Sequence, residues 1–203
     1  WISSFLQTNK IKTVSTFHNI YGGDSIMKKF YNKRMAKVNY IISISDYVKK
    51  EISNKYNIHP DKIFVINRGI DTDFFDDDVN ANDKKIFLDK HNIADSQKIL
   101  LYPGRITEWK GQYQFISQIE KINMRGRVIL FAGDTSNISH TNSLKSEIKN
   151  KNLIDKCKIL GPLNDHDLKI AYSLSDLVLS LPTRPEGFGR TISETISMKK
   201  III

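Results

Sequence analysis

Only one of the 203 residues is a cysteine, Cys157. No disulfide can form within the chain, and a reducing, cytoplasmic setting is the expectation. No apolar run approaches the roughly 18 residues that cross a bilayer. A basic segment followed by an apolar one, the mark of a signal peptide, is also missing; the chain opens on Trp1. The phosphate-cradling pattern Gly-x₄-Gly-Lys-Ser/Thr does not occur. Acid is the scarcer charge, with 22 Asp and Glu against 31 Lys and Arg and a net charge of +9. Such an excess invites a nucleic-acid partner, but no nucleic-acid motif accompanies it, which argues against one.

The densest positive cluster is Lys28, Lys29, Lys33, Arg34 and Lys37, interleaved with Phe30, Tyr31 and Met35 on an expected helix. Three readings stay open. The helix could meet anionic lipid headgroups at the inner face of a membrane, where near-surface cations gain about 1 kcal/mol each. It could meet an anionic acceptor. It could also be a solvated face, since abundant Lys, Asn and Ile colour the whole chain.

With 40% apolar residues the chain can bury a core. Short β-branched runs alternate with amphipathic stretches, the pattern of parallel sheets covered by helices in an α/β protein. Strands are expected at 13–17, 40–44 and 63–66, with helices at 26–38 and 46–56, the second capped by Ser45 or Asp46. The polar stretch 76–83 reads as a surface loop and 84–91 as a short helix. From Lys98 the rhythm restarts, with strands at 99–102, 128–132, 158–160 and 177–181 and helices at 111–122, 141–151, 165–174 and 189–198. Three divisions follow: residues 1–75, a linker with a short helix over 76–97, and residues 98–203. Ile201-Ile202-Ile203 looks like the opening of another buried strand, which suggests a polypeptide that continues, and the first division also looks incomplete.

Two segments carry chemistry. Gly104-Arg105-Ile106-Thr107-Glu108-Trp109-Lys110-Gly111 follows an apolar strand, so two cations stand where a strand turns into a helix. A planar guanidinium and a compact ammonium suit phosphate oxygens, and a helix beginning near Gly111 would add its positive end. Pro185-Glu186-Gly187-Phe188-Gly189-Arg190-Thr191-Ile192-Ser193-Glu194 sets two carboxylates around a glycine-flanked turn, with Glu194 expected near the first turn of a helix. Carboxylates accept hydroxyl hydrogen bonds, and the glycines let a ligand approach bare N–H groups. Taken alone, Glu194 fits equally well as a carboxylate favoured by a helix N-terminus. A rival is Asp71-Thr72-Asp73, an Asp-x-Asp pattern of the metal-binding kind; it would leave Arg105, Lys110 and the Glu186 turn without a role.

These segments together resemble the retaining family 4 glycosyltransferases, whose GT-B fold pairs two Rossmann-like domains with parallel sheets. Phe17-His18-Asn19, Ile44-Ser45, Val65 to Asp71, Phe131-Ala132-Gly133-Asp134 and Leu160-Gly161-Pro162-Leu163 resemble further loops of that fold. The resemblance implies that Arg105 and Lys110 bind the donor diphosphate, Glu194 the ribose hydroxyls and Glu186 the transferred sugar. Gly187, Phe188 and Gly189, with Arg190 and Thr191 behind them, would bring backbone to sugar and phosphate. Gly133 and Leu163 would border the nucleotide, and His18 would reach the donor sugar. The implied reaction is retaining hexosyl transfer from a nucleotide sugar to a glycan or glycolipid hydroxyl, in envelope glycan or lipopolysaccharide synthesis, with no cofactor and no metal. The alternative is a non-catalytic remnant or interaction module that keeps the donor-binding fold.

Overall fold

The structure, a computed structural model, describes residues 11–19 and 26–203. Most of the segment ahead of the first expected strand therefore lies outside the described residues. The chain forms two compact units: residues 1–69 with 186–189, and residues 70–185 with 190–203.

In the first unit, β1 (Val14–Phe17), β2 (Tyr40–Ser43) and β3 (Ile63–Val65) form a parallel sheet in the order β1-β2-β3. Tyr40 aligns with Val14, and Ile63 with Ile41. Helix α1 (Ile26–Met35) connects β1 to β2, and α2 (Asp46–Tyr56) connects β2 to β3. Ser45 caps α2, its hydroxyl accepting from Val48 N–H at 3.2 Å. Asn57 ends that helix in the left-handed region at φ 52°. Phe17, Ile41, Ile44, Val48, Ile52 and Ile63 make the core, with Met35, Ala36 and Phe188 packed against it.

In the second unit the parallel strands β4 (Lys98–Pro103), β5 (Arg127–Ala132), β6 (Cys157–Gly161) and β7 (Leu177–Val178) lie in the order β6-β5-β4-β7. Ile202 adds a single parallel bridge to Val178, so the terminal isoleucines do pair as a strand edge. Alternate residues of β4 and β5 feed two different cores. Ile99, Leu101, Val128 and Leu130 pack with Phe87 of α3 (Ala81–Lys90) and Ile170 of α6 (Asp165–Leu174). Leu100, Tyr102, Ile129 and Phe131 pack with Ile116 of α4 (Gln112–Ser117) and Leu144 of α5 (Ile138–Asn150). Near-continuous apolar runs such as Ile99 to Tyr102 are what a parallel sheet covered on both faces requires. Cys157 is buried at the start of β6, and desolvation pushes its thiol up to about 12.

The polar stretch after Asp76 is more ordered than its composition suggests. Asp76 pairs with Lys169 of α6, and Asp77 with Lys199 at 2.9 Å. Helix α3 begins at Ala81 rather than Lys84 because Asn80 Oδ1 accepts from Asn82 N–H at 2.7 Å. Asn137 likewise starts α5 three residues early by accepting from His140 N–H.

Candidate functional site

The strand order of the second sheet reverses beside β4. From β4 the chain moves outward through β5 to β6, then returns to the other side of β4 as β7. In open parallel sheets, ligands bind at the carboxyl ends of strands beside such a reversal. The two loops there are 104–111, after β4, and the segment from Leu179, after β7. They carry the two motifs singled out from the sequence.

Loop 104–111 is fixed by its neighbours. Gly104 leaves β4 at φ +122°, and its N–H donates to Ala132 O at 2.8 Å, while Ile106 N–H donates to Asp134 O at 2.9 Å. Ile106 is fully buried as a plug beneath the loop. Tyr102 Oη donates to Lys110 O at 2.7 Å, and Gln112 Nε2 to Arg105 O at 3.1 Å. Gln112 is itself wholly buried. On the β7 side, Thr183 N–H donates to Trp109 O at 2.8 Å. A side chain at Gly111, φ +82°, would put its Cβ 2.0 Å from Leu181 O, so only glycine lets these two loops meet.

The cations stand on this frame. Arg105 is exposed and Lys110 half-buried. The Lys110 ammonium lies 4.7 Å from the centre of the Trp109 ring. Asp134, at the end of β5, is held below the usual carboxylate range by the Ser136 hydroxyl first and, less strongly, by Arg105.

The expected helix over 111–122 is not continuous. Glu108–Lys110 is a 3-10 turn, Gly111 is left-handed, α4 has six residues, and a second 3-10 turn covers Ile119–Lys121. The positive end of a long helix is therefore not available to Lys110, because the φ of Gly111 breaks the run. Backbone fastening does the placing instead.

Glu194 also departs from expectation. Helix α7 runs Arg190–Ser197, which puts Glu194 in its second turn with 4% of its surface exposed. Its Oε2 accepts from Tyr172 Oη at 2.9 Å, and its Oε1 from Arg190 Nε and Nη2 at 3.0 and 2.8 Å. A carboxylate buried in this way is not one placed for a helix N-terminus. Burial, then the charge of Glu194, push the Tyr172 hydroxyl up, while the hydroxyls of Thr191 and Thr195 act in the opposite sense.

The remaining candidates separate. Arg105, Lys110 and Gly133 come together at the loops after β4 and β5. Glu194, Arg190 and Thr191 share α7. Glu186, Gly187, Phe188 and Gly189 group with the first unit, where a Cβ on Gly187 would come within 2.9 Å of His18 O. The His18 side chain, at the end of β1, is exposed. Leu163 follows β6, two strands from β4, and packs on the core. Asp71 of the rival motif is engaged locally: its Oδ1 accepts from Phe74 N–H at 3.0 Å. Among the described residues no group of three or more His, Cys, Asp or Glu is placed to hold a metal. Tyr172 and Gln112 were not evident from sequence. Gln112 does stand directly after Lys110-Gly111, whereas Tyr172 lies 22 residues from the carboxylate it holds.

Comparison with known proteins bears on the family and the fold. The model of Glycosyl transferases group 1 matches residues 83–203, and that of Glycosyltransferase Family 4 matches residues 1–74. The O-antigen chain mannosyltransferase RfbU of Salmonella typhimurium is 26% identical over 91% of this chain and 48% of its own length. A glycosyltransferase structure from Rickettsia africae is 30% identical, with a TM-score of 0.82 over 99% of this chain and 59% of that one. Anabaena HepE, solved with UDP and glucose, is 19% identical with a TM-score of 0.85 over 98% of this chain and 54% of its own, a likeness of fold. The chain spans about half the length or less of the curated relatives it matches, 40% and 48%. No helix among the described residues is long and apolar enough to cross a membrane. With the reversal beside β4, the parallel sheets of the GT-B fold and a family match over residues 83–203, the chain belongs to the glycosyl transferases group 1 family.

Proposed function

We propose that the whole protein transfers a hexosyl group from a nucleotide-diphosphate sugar to a hydroxyl of a glycan or glycolipid acceptor, with retention, in the synthesis of an envelope glycan such as lipopolysaccharide. The observation that carries this reading is the fastening of the Arg105 to Lys110 loop at the carboxyl end of β4, beside the sheet reversal. A diphosphate leaving group gains negative charge as its bond to the anomeric carbon breaks. Arg105 and Lys110 lie on a backbone already fixed, so they stabilise that charge without reorganising, the condition under which electrostatic catalysis is strongest. The acceptor oxygen attacks from the face the diphosphate leaves, and its proton passes to the departing phosphate. One C–O bond breaks, one forms, and no protein nucleophile is used. Glu194, already buried as an acceptor, is assigned to ribose hydroxyls, and no metal is assigned a part. The name of the Salmonella relative and the UDP complex of the Anabaena structure support the donor class.

The test is donor turnover by the complete protein, with binding of UDP and GDP measured by titration calorimetry. Lys110→Ala is expected to lower turnover about 10²–10³-fold, the usual loss for one such donor, while the far-ultraviolet circular dichroism stays unchanged. Undiminished transfer by Lys110→Ala would overturn the reading. Loss of transfer on adding EDTA would overturn the metal-free part alone.

A further inference from the structure

Helix α1 does not bury what an amphipathic helix ordinarily buries. Asn32 is buried, and Met35 and Ala36 pack on the core of the first unit, with Ser15 Oγ donating to Met35 O at 2.8 Å. The opposite side carries Ile26, Met27, Phe30 and Tyr31, which are 84%, 81%, 54% and 66% exposed. At 100° per residue these four lie within an arc of about 140°, and Arg34 falls inside the same arc, its guanidinium 5.0 Å from the Phe30 ring centre. Lys33 stands at its border, and Lys37 follows two residues beyond the end of the helix. An apolar stripe turned outward is not what a solvated face needs.

Between Asp24, just ahead of the helix, and Asp46, after β2, the charge has one sign. From Ser25 to Ser45 the sequence holds five cations, Lys28, Lys29, Lys33, Arg34 and Lys37, and no Asp or Glu. A salt-bridged surface helix mixes both signs. Beside α1 a groove of about 920 Å³ runs along the first unit, lined by Lys33, Lys37, Lys62 and His59. Its lining includes no acid, although His59 meets the exposed Asp61 just outside, at 3.4 Å. Large apolar side chains flanked by cations, over a basic groove, match a surface that is apolar beneath and anionic on top. That is a membrane of anionic lipid.

We propose that α1 is a membrane-docking helix: it lies in the plane of an anionic bilayer, with Ile26, Met27, Phe30 and Tyr31 among the acyl chains nearest the headgroups. Lys33, Arg34 and Lys37 face the lipid phosphates. Nucleic acid fits less well, because the exposed rings of Phe30 and Tyr31 suit stacking on bases but Ile26 and Met27 have no such partner. This inference is independent of the donor-site reading, since every residue it uses belongs to the first unit.

The experiment is co-sedimentation of the protein with vesicles of phosphatidylcholine, alone and mixed with phosphatidylglycerol. Binding is expected to the mixed vesicles and to fall with salt. Lys33→Gln with Lys37→Gln is expected to weaken it about thirtyfold, the equivalent of two near-surface charges. Met27→Gln with Phe30→Gln keeps every charge and is expected to weaken it about tenfold or more through lost apolar burial. The substituted side chains are exposed and glutamine suits a helix, so circular dichroism and melting temperature should match the parent. Equal binding to both vesicle types would overturn the proposal, as would full binding by Met27→Gln/Phe30→Gln. It would also fall if a single-stranded oligonucleotide displaced the vesicles and its binding depended on Lys33 and Lys37 but not on Met27 and Phe30.

Discussion

In the second unit, β4 and β5 are buried from their second residue to their last. Among the described residues, the three strands of the first unit instead leave one face open, where Val14, Tyr40, Phe64 and Ile66 are 57%, 44%, 51% and 57% exposed. Register explains the alignment: Val14 sits opposite Tyr40, and Phe64 opposite Ile42, so these side chains share a face. Tyr40 and Phe64 meet edge to face at 5.9 Å. The contrast is mechanical. A sheet packed on both sides offers strand ends that cannot tilt, and that is where Arg105 and Lys110 are mounted. The described residues of the first unit cover one side of its sheet, and the exposed helix belongs to that unit.

That contrast has measurable consequences, and amide hydrogen exchange can read each unit separately where a single unfolding curve would merge them. Leu130, fully buried in the middle of β5, should show the largest effect. Leu130→Ala is expected to cost about 2–5 kcal/mol, speeding exchange along β4 and β5 while β2 keeps its protection; equal loss in both units would mean that they unfold as one. Tyr172→Phe comes next, at about 1–3 kcal/mol, because Glu194 Oε2 would keep its burial and lose a donor. Here the check is the exchange of α7 amides, with Tyr172→Ala excluded because a cavity would confuse the result. Ser45→Ala removes the cap of α2 and is expected to cost about 1 kcal/mol, visible as faster exchange at Val48. Ile66→Ser lies on the open face and should change stability by no more than about 0.5 kcal/mol. A loss of several times that would show the face to be covered in solution.

Most of the fold was legible because the strands are short apolar runs, several of them β-branched, between turn residues, and the seven strands among the described residues lie where such runs lie. Helix starts were less legible. Asn80 and Asn137 read as loop residues by composition, yet a side-chain acceptor is what begins α3 and α5. At the candidate site, the positions of Arg105 and Lys110 after a parallel strand could be read from the chain, since a strand followed by glycine is a local pattern. The support could not. The burial of Glu194 depends on Tyr172 and Arg190, and the break in the helix after Lys110 depends on Leu181 meeting Gly111, contacts that only the folded chain creates.

Gly133 was expected to border the nucleotide, and its surroundings give the glycine a further reason. A Cβ there would lie 2.0 Å from Gly104 O and 2.9 Å from Arg105 N, so the backbones after β4 and β5 touch with no side chain between them. Two chains in such contact share their degrees of freedom. Arg105 cannot shift its Cα without carrying the end of β5 along, and only its side-chain torsions remain free to follow a ligand. The guanidinium therefore works as a jointed arm bolted to the sheet, with a reach set by its own length.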